Sequence, residues 1–412
     1  MKRTTQNRFK ALTSACVMVM MATVAWSQTL TWLGTLGGDW SSAFGVSADG
    51  SVVVGRSRNS TGQEIAFRWT ALGGMQSLGT FGGDRSGAVS VSANGNIVVG
   101  WAYDAQGRWR AFRWENNQMQ DLGTLGGNYA QALGISADGS VIVGYAADSQ
   151  GRWRACRWTN GTVTALFGSD WVYPHSWARD VSDDGSVIVG AEANYDYGYG
   201  LFRAFRWRQG SKQSFTSGEA FAVSADGTVA AGRYDDIQRD CYDEYDCYYY
   251  IAGEYAFRNT QTMRLGNNSR FGHSAFDVSA DGSIVVGTSD GKAFRWTQSG
   301  VEDLNVTYAN LLTNGSRLIS AFAISRNGRY IVGVGYNGAT RRDEAFLLDT
   351  ATCTPHNGDA DNNGCIDDAD LLAVLFAFGN TGSDLGRVDV NCDQTVDDAD
   401  LLQVLFNFGS GC

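Results

Sequence analysis

Two short segments near the C-terminus space their oxygen-bearing side chains as a calcium-binding loop does. The loops begin at Asp359 and Asp389, and each has a second aspartate at its twelfth position. Calcium takes about six to eight oxygen ligands from a loop of this length, one of them the carbonyl at position seven. The predicted ligands are Asp359, Asp361, Asn363, Cys365 by its carbonyl, Asp367 through water and Asp370, then Asp389, Asn391, Asp393, Thr395 by its carbonyl, Asp397 through water and Asp400. The sequence therefore predicts Ca²⁺ as a cofactor, bound at two sites.

Each loop leads into a segment whose apolar residues have helical spacing, since residues three or four apart lie on one face of a helix. The residues placed in this way are Leu371, Leu375 and Phe378 after the first loop and Leu401, Leu405 and Phe408 after the second. Gly379 and Gly409 are expected to end the two helices. Aspartates also interact favourably with a helix N-terminus, so acidic helix caps without a metal are the alternative interpretation.

Residues 359–412 resemble a type I dockerin, a duplicated loop–helix calcium-binding module. The resemblance rests on the two acidic loops and on the recurring phrase Asp-Leu-Leu-x-Val-Leu-Phe-x-Phe-Gly. It implies a cohesin-like or other cell-envelope protein as partner. Gln394 replaces the glycine usual at loop position six, so we expect the second site to be the weaker one. Asp-Ala pairs at 368–369 and 398–399 replace the Ser-Thr pair of cellulosomal dockerins.

The N-terminus has the charged, apolar and small-residue order of a secretory signal. Basic residues precede an apolar run from Ala15 to Val24, and Ala25-Trp26-Ser27 offers a cleavage site. We expect residues 1–27 to be removed, giving a secreted or cell-surface bacterial protein without a transmembrane segment. The net charge is −11, which argues against a nucleic-acid partner because binding phosphates needs a basic surface.

Cysteines that remain after cleavage would meet a compartment that permits disulfides. Cys241 and Cys247 are close enough in sequence to pair locally. The four C-terminal cysteines, at 353, 365, 392 and 412, allow three connectivities, which the sequence leaves open. Cys156 replaces the phenylalanine of a repeated phrase, and we expect it to be a small buried thiol.

The body of the chain is built from seven repeats. The phrase Val-Ser-Ala-Asp-Gly-Ser-Val-Val-Val-Gly recurs with its central glycine at 50, 95, 139, 185, 227, 282 and 328, and a phrase like Ala-Phe-Arg-Trp follows each time. Each period reads as four short strands, which matches one blade of a propeller. We therefore predict an all-β fold, a seven-bladed β-propeller over residues 28–350. The N-terminal strand near Thr29–Thr35 would close the ring, with a linker at 351–358 and the small helical module at 359–412.

The repeat phrases, together with Leu-Gly-Thr-Leu-Gly-Gly at 33–38, resemble the bacterial HAF family of extracellular repeats. The resemblance covers about residues 30–350. It implies a secreted, propeller-like protein and carries no defined activity.

Departures from the repeat are the best leads to a ligand site, because loops carry function on a constant scaffold. Aromatic residues cluster in three such departures, at Trp171, at Tyr195, Tyr197 and Tyr199, and at Tyr242, Tyr245 and Tyr248. Tyrosine beside acidic residues suits the binding of a glycan. No catalytic residues are evident. The favoured hypothesis is a non-catalytic propeller for binding or display, attached to a protein by its dockerin-like tail. The alternative is a glycan-degrading enzyme targeted by that tail.

Overall fold

A computed structural model describes residues 28–168, 173–194, 201–241, 247–259, 261–263, 272–350, 356–361, 363–381, 385–391 and 395–412. For residues 201, 237–241, 247–255 and 261–263 the description covers the backbone alone. The chain forms two compact units, one spanning Gln28–Ala351 and the other containing Thr352–Cys412. The predicted signal segment lies outside the described residues.

The first unit consists mainly of β-strands. In chain order they are β1 (Thr29–Trp32), β2 (Gly37–Val46), β3 (Val53–Asn59), β4 (Glu64–Thr70), β5 (Gly74–Gly79), β6 (Gly82–Val91), β7 (Val98–Asp104), β8 (Trp109–Glu115), β9 (Gln118–Asp121), β10 (Gly126–Ile135), β11 (Val141–Asp148), β12 (Trp153–Thr159), β13 (Thr162–Ala165), β14 (His175–Val181), β15 (Val187–Asn194), β16 (Leu201–Arg208), β17 (Ser211–Val223), β18 (Ala230–Cys241), β19 (Cys247–Arg258), β20 (Gln261–Met263), β21 (His273–Val278), β22 (Val285–Ser289), β23 (Lys292–Thr297), β24 (Gly300–Asp303), β25 (Arg317–Ile324), β26 (Tyr330–Asn337) and β27 (Arg342–Asp349). A short helix, α1 (Leu304–Thr307), and a 3₁₀ turn, Ala309–Leu311, follow β24.

The strands form five hydrogen-bonded sheets, with neighbouring strands mostly antiparallel. Three sheets have four strands each, β6–β9, β10–β13 and β21–β24. A seven-stranded sheet runs from β14 to β20, and an eight-stranded sheet has the order β25-β26-β27-β2-β3-β4-β5, with β1 also paired to β27. The arrangement is propeller-like. The expectation of seven separate four-stranded sheets is wrong, because β17 runs unbroken between β16 and β18 and because β27 bridges to β2 at Asp343 and Trp40.

The same turn, Ser-Ala-Asp-Gly or a close variant, follows the first strand of every repeat. In repeat one the Ser47 hydroxyl donates to Asp49 at 2.6 Å and accepts from the Val52 amide at 3.0 Å. The second residue of each turn then joins one repeat to the next through its backbone. The N–H to carbonyl bonds, at 2.9 to 3.2 Å, are Ala48 to Ala93, Ala93 to Ala137, Ala137 to Asp183, Asp183 to Ala225, Ala225 to Ala280 and Ala280 to Arg326.

The apolar core lies between consecutive repeats. Val54 and Ala66 of repeat one, for example, form one cluster with Ala88, Val98 and Phe112 of repeat two. Burial of these side chains provides the main driving force for stacking one repeat on the next. The prediction for Cys156 is confirmed, since its thiol is fully buried and unpaired, and burial raises its pKa.

The repeated arginine of Ala-Phe-Arg-Trp also connects neighbouring repeats. Arg113 donates to the carbonyl of Gly139 at 3.1 Å, and Arg258 donates to that of Gly282 at 3.0 Å. These carbonyls belong to the turn of the next repeat. The arginines therefore have a scaffold role.

The two ends of the first unit pair with each other. Strand β1 lies antiparallel to β27, with Thr29 opposite Asp349 and Trp32 opposite Phe346. Leu30 and Trp32 pack against the same apolar cluster as Phe346. The predicted pairing of the N-terminal strand with the last repeat is therefore present.

The second unit contains two matching helices, α2 (Asp368–Ala377) and α3 (Asp398–Asn407), and a 3₁₀ turn, Gly386–Val388. Asp367 and Asp397 cap them with identical backbone angles, φ −136° and ψ −163°. Val374 and Val404 are buried in its core. Of the residues that the sequence placed on one helical face, Leu371 packs against this core, whereas Leu375 remains 46% exposed. No described helix is long and apolar enough to cross a membrane.

Candidate functional site

The first acidic loop brings three carboxylates together. One oxygen from each of Asp359, Asp361 and Asp370 lies within 4.8 Å of the others. Carboxylates this close repel one another unless protons or a cation offset their charge. The loop therefore gathers the hard oxygen donors that a calcium ion accepts.

Asp370 is held in place by the backbone of its own loop. It is fully buried, and its Oδ1 accepts from the amides of Ala360 at 2.6 Å and Asp361 at 3.0 Å. Its Oδ2 accepts from the amide of Asp367 at 2.9 Å. Burial opposes ionisation, but these amide bonds outweigh it and lower the pKa of Asp370. Asp370 is thus kept as a carboxylate at the base of the loop.

The rest of the first loop curls around the same point. The Asn363 amide donates to Asp359 at 3.1 Å and to Asp361 at 3.0 Å. Gly364, at position six, has a φ of +90°, a backbone conformation that favours glycine. Cys365 forms a disulfide with Cys412, which is one of the pairings that the sequence left open, and its carbonyl is not used by that bond.

The second loop repeats the described part of this arrangement. Asp400 is fully buried and accepts from the amides of Asn391 and Asp397, each at 3.0 Å. Asp397 accepts from the amide of Ala399 at 2.8 Å, as Asp367 does from Ala369. Asp389 is 3% exposed. Asp393, Gln394 and Cys392 lie outside the described residues, and so does Cys353.

Backbone bonds tie each loop to the end of the opposite helix. Ile366 of the first loop exchanges bonds with Gly409 and Ser410 after α3, at 2.7 and 3.0 Å. Val396 of the second loop exchanges bonds with Gly379 and Asn380 after α2, at 2.8 and 2.9 Å. The two loops therefore support one another through equivalent contacts.

Most predicted glycan-binding residues fall in parts of the chain that the structure does not describe. These are Trp171, Tyr195, Tyr197, Tyr199, Tyr242 and Tyr245. Tyr248 lies in β19, where its backbone is opposite Asp240. Cys241 and Cys247 also face each other in this strand pair. The glycan site stays a prediction.

Two sets of residues were missed from the sequence. The first set is apolar and exposed on α2 and α3, and it contains Leu372, Phe376, Leu402 and Phe406. The second set is charged and breaks the repeat, at Arg179, Asp180 and Asp277 on the first strands of their repeats and at Arg326 in the turn after β25. Alignment of the two helix segments with each other would have shown the first set, because its apolar residues recur at equivalent positions. Alignment of the seven repeats would have shown the second set as charged residues at positions where other repeats have uncharged ones.

No protein-family profile and no curated protein matches the chain. Among solved structures it is similar to a TolB candidate from Agrobacterium tumefaciens, at 13% identity, 76% coverage of this chain, 91% of that chain and a TM-score of 0.40. It is also similar to TolB from Acinetobacter baumannii, at 13% identity, 74% coverage of this chain, 65% of that chain and a TM-score of 0.38. A third similar structure is the WD40 β-propeller domain of Doa1, at 16% identity, 77% coverage of this chain, 96% of that chain and a TM-score of 0.41. Scores this low assign neither family nor function, so the description of the fold rests on the sheets and turns. The chain is mostly β, with a propeller-like arrangement of sheets and a separate two-helix unit.

Proposed function

We propose that this chain is a secreted, non-catalytic binding protein of a bacterial surface. It consists of a seven-bladed propeller and a calcium-loaded, dockerin-like tail that attaches it to a protein partner. The count of seven blades is supported by the six turn-to-turn bonds, which link seven equivalent turns in sequence order. The longer sheets then represent neighbouring blades that share a strand or a bridge.

The proposal of calcium in the tail is supported by the donors of the first loop. Three carboxylates converge there, and the amide contacts of Asp370 and Asp400 are the same in both loops. When bound, the ion would offset the repulsion among the acidic groups and hold each loop against its helix. Asp359, Asp361, Asn363, Asp370 and the Cys365 carbonyl would bind it in the first loop, with Asp367 acting through water.

The observation that carries the attachment proposal is a repeated, exposed apolar face. Phe376 is 86% exposed and Phe406, its equivalent, is 83% exposed. Leu372 and Leu402 accompany them at 50% and 49%. Exposed apolar patches of this kind mark surfaces that bind other proteins. The patch occurs twice because the loop–helix unit is duplicated.

The test is capture from an envelope extract of the source bacterium by the immobilised full chain. We expect one protein to be retained in calcium, to be released by EDTA, and to be lost with the double variant F376S/F406S. The matched control is Leu72→Ser, which removes a fully exposed leucine from the first unit. The proposal is contradicted if the protein is retained equally with and without calcium and by the double variant, or if no protein is retained.

The proposal does not extend to glycan degradation. The cavity of the first unit has two carboxyls, Asp180 and Asp277, but phenylalanine and short apolar side chains form most of its wall. A sugar needs several placed hydrogen-bond donors and acceptors. The Tyr-rich loops remain the predicted place for a glycan.

A further inference from the structure

The first unit contains a cavity of about 310 Å³ to which all seven repeats contribute. The first strand of each repeat contains a buried alanine, and the residue after that alanine lines the cavity. These strands are β2, β6, β10, β14, β17, β21 and β25. In repeat order these residues are Phe44, Val89, Leu133, Arg179, Phe221, Phe276 and Phe322. The cavity therefore lies where the repeats meet, and its chemistry depends on how they differ.

Four phenylalanines form a continuous aromatic arc along one side of this cavity. Ring centroids are 5.7 Å apart for Phe221 and Phe276, 5.0 Å for Phe276 and Phe322, and 5.0 Å for Phe322 and Phe44. All four rings are half-buried. Aromatic faces attract cations. Arg56 lies over Phe44 at 4.9 Å and Arg179 over Phe221 at 5.4 Å, so a positively charged ligand with apolar parts would use Phe276 and Phe322.

The next position of the same strands distinguishes two repeats from the other five. Five repeats have a small residue there, namely Gly45, Ser90, Gly134, Ala222 and Ala323. Repeats four and six have Asp180 and Asp277, and both line the cavity. Because five repeats fold without a carboxyl at this position, the repeat itself does not require one.

Both carboxyls accept hydrogen bonds only from backbone amides. Asp180 accepts from Val223 at 2.9 Å, and Asp277 accepts from Ile324 at 2.9 Å and from Val278 at 2.8 Å. In the described part of the chain neither carboxyl has an ion-pair partner. A buried carboxylate without a cation carries an energetic cost that a ligand could relieve.

The arginines of the cavity have other partners. Arg326 pairs with Asp183 at 2.8 Å, and Arg179 pairs with Glu219 at 2.7 Å. Burial first, and then the charge of Asp180, raise the pKa of Asp277 to about 7, although Arg326 opposes the shift. Burial raises the pKa of Asp180 as well. Above about pH 7, where Asp277 loses its proton, the cavity therefore holds carboxylates with which its own arginines form no ion pair.

We propose that this cavity binds a small organic cation, an ammonium ion whose charge meets Asp180 and Asp277 and whose alkyl part packs on the phenylalanine arc. A bare metal ion fits less well. The metal-type cluster of carboxylates found among the described residues is in the other unit. The aromatic wall also offers an alkyl group contacts that a metal ion cannot use.

The test is calorimetric titration of the full chain with tert-butylammonium chloride at pH 8, compared with tert-butanol, its neutral counterpart. We expect saturable binding of the ammonium ion and none of the alcohol at equal concentration. Asp180→Asn and Asp277→Asn should each weaken ammonium binding about tenfold or more, the usual loss when a charged partner is removed. Asp84→Asn, which removes an exposed acid of β6, is the matched control and should bind as the parent does.

Asparagine keeps one acceptor oxygen, which can retain the bond from Val223 or from Ile324, but its NH2 group cannot accept a second backbone bond. Near-UV circular dichroism therefore checks that both variants fold. Phe276→Leu is a second variant that leaves every charge in place, and it should also weaken binding. Equal binding of ammonium ion and alcohol would overturn the proposal, as would no binding of either. Ammonium binding that both asparagine variants leave unchanged would overturn it as well.

Discussion

Gly50 of the first repeat lies directly against the ring of Tyr330 in the seventh. A Cβ on residue 50 would stand 2.6 Å from that ring. The other turn glycines meet a side chain of the preceding repeat in the same way, as Gly95 meets Val52. The contact of Gly50 with Tyr330 therefore joins the last repeat to the first in the same way as consecutive repeats are joined.

Gly50→Ala should destabilise the first unit more than Gly62→Ala does. Both glycines have positive φ, +73° and +81°, but a Cβ on Gly62 has nothing within 4 Å. Each variant has about 1–2 kcal/mol of backbone strain, and overpacking against Tyr330 adds about 1–3 kcal/mol at position 50. Thermal unfolding measures the difference. Equal melting temperatures for the two variants would show that Tyr330 is not packed on this turn.

Deletion of residues 29–36 should lower the thermal stability of the first unit. The deletion removes β1, exposes the edge of β27 and uncovers the cluster around Phe346. Unpaired edges invite association between chains. We expect a lower melting temperature and oligomers in sedimentation, with recovery when a peptide of residues 28–36 is added. A deletion variant that stays monomeric and equally heat-stable contradicts closure by this strand.

The free energy of unfolding should fall as the pH rises from about 4 to about 7. Asp277 has a folded-state pKa of about 7 and an ordinary value of 3.8, so the folded chain binds the extra proton in this range. Asp180, Asp183, Arg179 and Arg326 are the charged groups around it. Asp277→Asn should make this decline smaller, with a gain over the parent on the order of a few kcal/mol at pH 8. The part that remains comes from Asp180, whose pKa burial also raises. Urea unfolding at pH 4.5 and pH 8 measures it, and equal gains at the two pH values would contradict the assignment.

A separate pH effect should come from the turns. Hydrogen bonds from Ser182 and the Ser186 amide lower the pKa of Asp184 to about 2, and bonds from Ser224 and Thr228 do the same for Asp226. A depressed pKa stabilises the fold above the ordinary value and loses that effect as the pH falls toward 2. Asp226→Asn should therefore reduce acid sensitivity below pH 4 and leave the pH 4 to 7 decline unchanged. Urea midpoints at pH 2.5 and pH 5 test this, and an unaltered acid response would contradict it.

Gln394→Gly should strengthen the weaker calcium site. Position six of the first loop is Gly364, which has a φ of +90°, and a side chain at this conformation is strained. We expect the two affinities of the parent chain to differ and the variant to bring them closer. Gln118→Gly, which alters an exposed glutamine of the first unit, serves as the control. Equal affinities in the parent would contradict the expectation.

Features that depend on local chemistry were predictable from the sequence. The Asp-Gly turns, the buried Cys156 and the pairing of the N-terminal strand with repeat seven follow from short phrases and their count. The partner of Cys365 was not predictable, because four cysteines allow three connectivities and only the folded chain brings residue 412 close to it.

The direction in which a side chain points was harder to predict. Leu375 and Phe378 share helical spacing with Leu371, but the helix turns Val374 inward instead, because the small core closes around the valines. Asp180 and Asp277 were missed for a related reason. Their importance depends on which strand position faces the cavity, and the repeat phrase does not state that.

A calorimetric titration of the full chain with calcium tests most directly the central claim, that the tail binds two calcium ions. We expect two ions to bind the parent, one ion to bind Asp370→Asn, one to bind Asp400→Asn and none to bind the double variant, while Asp84→Asn behaves as the parent. Absence of calcium binding, or binding that the Asp370 and Asp400 variants leave unchanged, would contradict the account of the tail as a calcium-loaded attachment module.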